Sequence, residues 1–155
     1  MHGYPIGPCD IDEVDRVLRE AHWAPGRQVD AEPWLASFEA EGLQRHPAVS
    51  EFLTEFGGLA VNISGPGISR AREPFELDPM LCLGEGDRFL EWGGEIGRSI
   101  FPVGVHDGGR FFLGIDEHGE LYLVETWVAS FGRMPEAMSN LILGVQPTVI
   151  DDGSG

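Results

Sequence analysis

The groups in this sequence that could do chemistry are carboxylates, five histidines, two cysteines and several glycine clusters, and each class implies a different reaction. Histidines or cysteines at short spacing would hold a metal, and a His beside a Ser or Cys would activate a nucleophile. His2, His22, His46, His106 and His118 are scattered, and none forms a His-x-x-x-His pair. Cys9 and Cys82 make no Cys-x-x-Cys motif and lie near no His at zinc-ligand spacing, so they read as unpaired thiols of a reducing compartment. Gly57-Gly58, Gly65-Pro66-Gly67, Gly84-Glu85-Gly86 and the stretch from Gly104 to Gly109 suggest phosphate loops, but none has the Gly-x-x-x-x-Gly-Lys spacing. There is no Lys anywhere to meet a phosphate, and Glu85 and Asp87 would repel one. No catalytic, cofactor-binding or metal-binding set emerges.

Carboxylates remain. Ten Arg face twenty-six Asp plus Glu across 155 residues, a formal charge of −16, and both halves of the chain share the excess. Duplex nucleic acid and anionic membranes would be repelled by such a surface, whereas a basic protein would be drawn to it. Two segments concentrate the charge. Glu85, Asp87, Glu91 and Glu95 surround Trp92 with only Arg88 opposing them, and Asp116, Glu117 and Glu120 surround a turn. An interface to a basic partner would combine such carboxylates with an aromatic anchor, so Glu85–Glu95 is the first candidate and the Asp116–Glu120 turn the second. The bland alternative has Trp92 packed inward with Phe89 and the carboxylates merely solvated. Of the other tryptophans, Trp34 and Trp127 lie on apolar faces and read as core, while Trp23, beside Pro, reads like Trp92 as partly exposed.

The elements that must position these groups follow from periodicity. Residues 1–9 form an irregular lead-in. Asp10 with Glu13 fits a capping box ahead of a helix carrying Ile11, Val14, Leu18 and Ala21, ended by Pro25-Gly26. Asp30 caps a second helix with Trp34, Leu35 and Phe38 inward. A third starts near Pro47, flanked by His46, with Val49, Phe52, Leu53 and Phe56 on one face and Gly57 in the left-handed cap position. Beyond Gly58 the pattern turns to short strands: Leu59 to Ile63, Phe75 to Leu77, Ile100 to Val105, Phe111 to Ile115 and Leu121 to Val128. A helix over Asp87 to Ile96, carrying Phe89, Trp92 and Ile96, interrupts them despite Gly93-Gly94. Pro135 opens a last helix that stops at Gly144, and the tail from Val145 frays. Helices, then strands, then one helix describe an α+β fold: N-terminal helices and a C-terminal helix around a mainly antiparallel sheet, in one domain over 1–155 with its core at about 10–144. The N-terminus has no basic n-region or apolar h-region, and no apolar run reaches about 18 residues, so a cytoplasmic protein is expected.

The order of motifs adds a resemblance. The run Trp23-Ala24-Pro25-Gly26-Arg27 is followed by Val29-Asp30 and Trp34, then by Phe52-Leu53 and Glu55-Phe56-Gly57-Gly58-Leu59. Phe75-x-Leu77-Asp78-Pro79 and Phe101-Pro102-Val103-Gly104 come next, then Ile115-Asp116 with Gly119 and Leu121-Tyr122, and finally Ala137, Leu141 and Leu143-Gly144. In this order the chain resembles the SUKH immunity-protein superfamily, in its third subgroup, over about residues 14–144. One departure is His22, where the family pattern has Gly before the Trp. The resemblance implies a SUKH-like fold and a cytoplasmic antidote that neutralises a cognate polymorphic toxin by stoichiometric binding, with a basic nuclease as the favoured partner. It implies no enzyme activity and no cofactor. Its motifs read as scaffold: Phe56-Gly57-Gly58 as a helix stop, Pro102 as an edge-strand residue, Gly119 as a hairpin turn. Two other readings stand beside it, a scaffold or regulatory binding module of the same superfamily and a carboxylate-dependent hydrolase.

Overall fold

The computed structural model describes residues 8–154, with side chains from Ile11 onward. The expected lead-in, His2 included, lies outside the described residues, as does the Cys9 side chain. Helices α1 (Pro8–Glu20), α2 (Glu32–Glu39) and α3 (Pro47–Phe56) precede strands β1 (Ala60–Val61) and β2 (Phe75–Glu76). A 3-10 turn (Pro79–Cys82) leads into α4 (Gly86–Ile96), and β3 (Phe101–His106), β4 (Phe111–Ile115), β5 (Glu120–Val124) and β6 (Val128–Arg133) follow. Helix α5 (Glu136–Leu143) and β7 (Thr148–Asp151) complete an α+β fold. The seven strands form one antiparallel sheet in chain order, β1 to β7.

Helix α1 starts at Pro8, so Asp10 lies in its first turn and is not its cap. Glu13, expected to reach back to that cap, instead binds Arg16 and Arg72; its hydrogen bonds to Arg16 and then Arg72 hold its carboxyl down near 2. The buried stripe is Val17 and Leu18, while Ile11 is exposed. The helix ends in a left-handed residue, His22 at φ 78°, which explains why Gly suits this position and why a His there carries strain. Asp30 accepts the Glu32 amide, though the residue that precedes α2 is Ala31.

His46 caps α3 as a side chain should, with Nδ1 accepting from Val49 N at 3.1 Å and Nε2 facing Ser99 O at 3.0 Å. The close of α3 corrects the expectation for its glycines. Gly57 has φ −59° and Gly58 takes the left-handed conformation at φ 87°. Gly57 is required for another reason: a Cβ there would collide with the Trp34 ring and the Leu53 carbonyl.

The sheet differs from the expectation in two places. Leu121 to Val128 is two strands, because the chain reverses at Glu125-Thr126-Trp127 and Glu125 N bonds Trp127 O at 2.8 Å. The tail does not fray at Val145, since Thr148–Asp151 pairs with β6. Pro102 lies inside the sheet at the β3 bulge, and β2 pairs only with Val105 and His106, so the missing N–H leaves no ladder bond unmade on that side. All six β3 residues are buried, the mark of a strand covered on both faces. Helices α3 and α4 pack on β3, and α5 packs on β6 and against α1. Nearly all the buried apolar residues, among them Phe38, Leu53, Phe75, Phe89, Phe101, Leu113 and Ile142, form one connected cluster.

Candidate functional site

Helix α4 is fixed to the domain at both ends and along one side. Glu41, from the turn after α2, accepts Gly86 N at 2.9 Å and Gly84 N at 3.4 Å, placing a carboxylate at the N-terminus of α4 where the helix dipole favours it. Phe89 is fully buried, and Gly97 closes the helix in the left-handed conformation at φ 70°. Arg88 bridges Glu85 and Glu125, each at 2.9 Å, and its guanidinium lies 5.4 Å from the Phe112 ring centroid. Trp92 donates its indole N–H to the Glu125 carbonyl at 2.8 Å and is half-buried against the core. The one cation of the helix and its tryptophan are therefore both held against the β5–β6 turn.

Asp87, Leu90, Glu91, Gly94 and Glu95 face solvent. The three carboxylates stand four residues apart, about 12 Å from first to last and turning about 40° per step around the helix. Among the described residues they make no ion pair and no side-chain hydrogen bond, whereas Glu85 is taken by Arg88. Leu90 is 42% exposed, and Leu81 and Leu83 on the turn leading into α4 are 46% and 53% exposed. Free carboxylates interleaved with uncovered leucines can steer a basic surface and then bury apolar area against it.

The second acidic segment has a different structure. Asp116 is fully buried: Oδ1 accepts His118 N at 2.8 Å and Glu120 N at 3.0 Å, Oδ2 accepts the Tyr122 hydroxyl at 2.8 Å, and Arg98 stands 3.5 Å away. Burial, then the bond to Asp116, drives the Tyr122 hydroxyl well above its ordinary range. Glu117 accepts Ser99 N at 2.9 Å, and Glu120 accepts the Ser130 hydroxyl at 2.5 Å. Asp116 is thus withdrawn as a partner-contacting residue, because a side chain with no exposed surface cannot meet a partner. Glu117 and Glu120 remain at the surface with one oxygen engaged.

All four tryptophans are half-buried, so the division into core and exposed rings dissolves. Trp23 stacks on Phe56 with centroids 6.4 Å apart and donates to Glu55 at 3.1 Å. Sequence reasoning did not single out Glu41, Glu125 or Leu90. Glu41 and Glu125 act across 45 and 37 residues of chain, and no local pattern announces such contacts.

Among the described residues, reactive groups do not converge elsewhere. A groove of about 450 Å³ between β6, α5 and β7 contains Glu120, Ser130, Arg133 and Asn140, but Ser130 is bonded to Glu120 and no histidine reaches it. Cys82 is buried and donates to Gly104 O, and burial pushes its thiol up to about 12. Among the described residues no three His, Cys, Asp or Glu side chains are placed to hold a metal ion, and no helix is long and apolar enough to cross a membrane.

No curated protein and no solved structure matches the chain. A family model does, that of the SUKH-3 immunity protein, over residues 11–144. That span runs from the first turn of α1 through Gly144, the left-handed stop of α5, and contains α4 and the acidic hairpin alike. The chain belongs to the SUKH-3 immunity protein family.

Proposed function

We propose that the protein neutralises a cognate polymorphic toxin by one-to-one binding, acting as an inhibitor and not as an enzyme. The observation that carries this reading is the family match over nearly the whole fold. The charge supports a further step, that the toxin is basic and a nuclease. A nuclease displays Lys and Arg to hold phosphates, and a surface at −16 both accelerates the encounter and covers that site. Asp87, Glu91 and Glu95 form the leading contact face, flanked by Glu85 and Trp92, while Glu117 and Glu120 lie at a second, weaker candidate. The protein does its work in the cytoplasm, where the toxin would otherwise act.

The test is co-expression with the cognate toxin's C-terminal domain, sought first among the genes adjacent to its own. A stable equimolar complex and loss of the toxin's nuclease activity are expected. Failure to form any complex with that domain would refute the reading.

A further inference from the structure

The exposed side of α4 contains a residue that the fold does not need. Gly93 and Gly94 are adjacent, yet only the first has a structural reason to lack a side chain. A Cβ on Gly93 would stand 2.5 Å from the Arg98 carbonyl oxygen, where the chain turns back into β3. A Cβ on Gly94 would meet nothing within 4 Å, and the residue is helical, so any L-residue fits there. Gly is the poorest helix former after Pro, so folding alone disfavours it at this position. Gly94 lies one turn beyond Leu90, whose side chain is 42% exposed on the same face. Asp87, Glu91 and Glu95 flank this Leu–Gly pair, and their carboxylates have no partner among the described residues. At the start of the helix the leucine surface continues in Leu81 and Leu83.

From this arrangement we infer that Gly94 is the close-approach point of the toxin interface: a segment of the toxin bearing an aliphatic residue between Lys or Arg side chains crosses α4 there. Its aliphatic residue packs on Leu90 and its cations pair with Asp87, Glu91 and Glu95. The inference rests on the toxin-binding reading and adds to it the contact element and the partner's chemistry. Charge complementarity selects the occupant, since a second copy of this chain would bring like charge to the same face. Absence of a side chain at Gly94 lets the two backbones come within the distance that a bare glycine allows.

The consequence is an effect of opposite sign on folding and on binding. Gly94→Ala should raise the melting temperature of the free protein and weaken its complex with the cognate toxin domain. Gly94→Leu should weaken that complex further, by about tenfold or more, and Leu90→Ser by a similar factor. Circular dichroism establishes that each variant is folded, and titration calorimetry gives the affinity. Asp12→Asn, on the exposed side of α1, should bind as the wild type does. Wild-type affinity for both Gly94→Leu and Leu90→Ser would overturn the inference and leave toxin binding standing on another face. Absence of any complex with the wild-type protein would take down both readings.

Discussion

Glu85–Glu95 and Asp116–Glu120 are similar as strings of carboxylates, yet the fold uses them in different ways. In the hairpin, backbone amides, a tyrosine and a serine consume the charge: Asp116 alone takes two N–H groups and the Tyr122 hydroxyl and has no exposed surface. On α4 the single cation is drawn inward to Glu85 and Glu125, and Asp87, Glu91 and Glu95 are left unengaged. A carboxylate bonded to the protein's own N–H groups stabilises the fold and has little left to offer a partner. A carboxylate with no bond contributes little to the fold and keeps its whole charge for recognition. Acid density in a sequence is therefore no guide to an interface until the internal acceptors are subtracted.

The largest effect that can break this comparison is at Asp116. Asp116→Ala strands the amides of His118 and Glu120 and the Tyr122 hydroxyl, and should cost about 3 kcal/mol or more in urea denaturation. A loss below about 1 kcal/mol would make the buried carboxylate dispensable.

Acid should act next, on a buried residue outside both regions, and should leave the α4 carboxylates without effect on stability. His106 is 3% exposed, with Arg70 and Asp107 as its charged neighbours and the rings of Phe111 and Phe131 beside it. Its Nδ1 has no hydrogen-bond partner among the described residues. Burial, and then Arg70, pull its pKa from 6.5 down to about 4 against the opposing effect of Asp107. The native state thus disfavours the charged imidazole. Its contribution is complete above pH 6.5 and is lost as pH falls toward 4, by on the order of 3 kcal/mol. His106→Phe should flatten the stability profile in that window. Neutralising the α4 carboxylates should leave the slope in place, and a slope that followed α4 would contradict their role as spectators of folding.

Glu117 sharpens the contrast because it is exposed like the α4 acids yet bonded to Ser99 N. Glu117→Ala should cost about 1 kcal/mol, the usual value of one such bond, as read from the midpoint of chemical denaturation. The smallest effect belongs to the triple variant Asp87→Asn, Glu91→Gln, Glu95→Gln, which should fall within about 0.5 kcal/mol of the wild type in the same measurement.

Much of the frame was legible in the sequence because it is written locally. Proline at the start of α3, apolar residues at helical spacing and Gly144 as a left-handed stop are signals within one turn of chain. The errors arose where distant contacts decide. Gly57 carries no positive φ, and its side-chain position is closed by Trp34, 23 residues earlier. Strand β7 carries the β-formers Thr148, Val149 and Ile150, but so short and exposed a run becomes a strand only because β6 offers it an edge. In the candidate site, the segment and its acids were visible as composition. That Arg88 and Trp92 both turn to Glu125 was not, since the β5–β6 turn that presents Glu125 read as continuous strand.

The central claim is that the unengaged carboxylates of α4 meet a basic toxin. Stopped-flow association with the cognate toxin domain, measured against ionic strength, tests it directly. Wild-type association should be fast at low salt and slow steeply as salt is added. The variant Asp87→Lys, Glu91→Lys, Glu95→Lys should associate at least about tenfold more slowly at low salt, with a flattened or inverted salt dependence. Equal association rates for the two proteins at low salt would contradict the account.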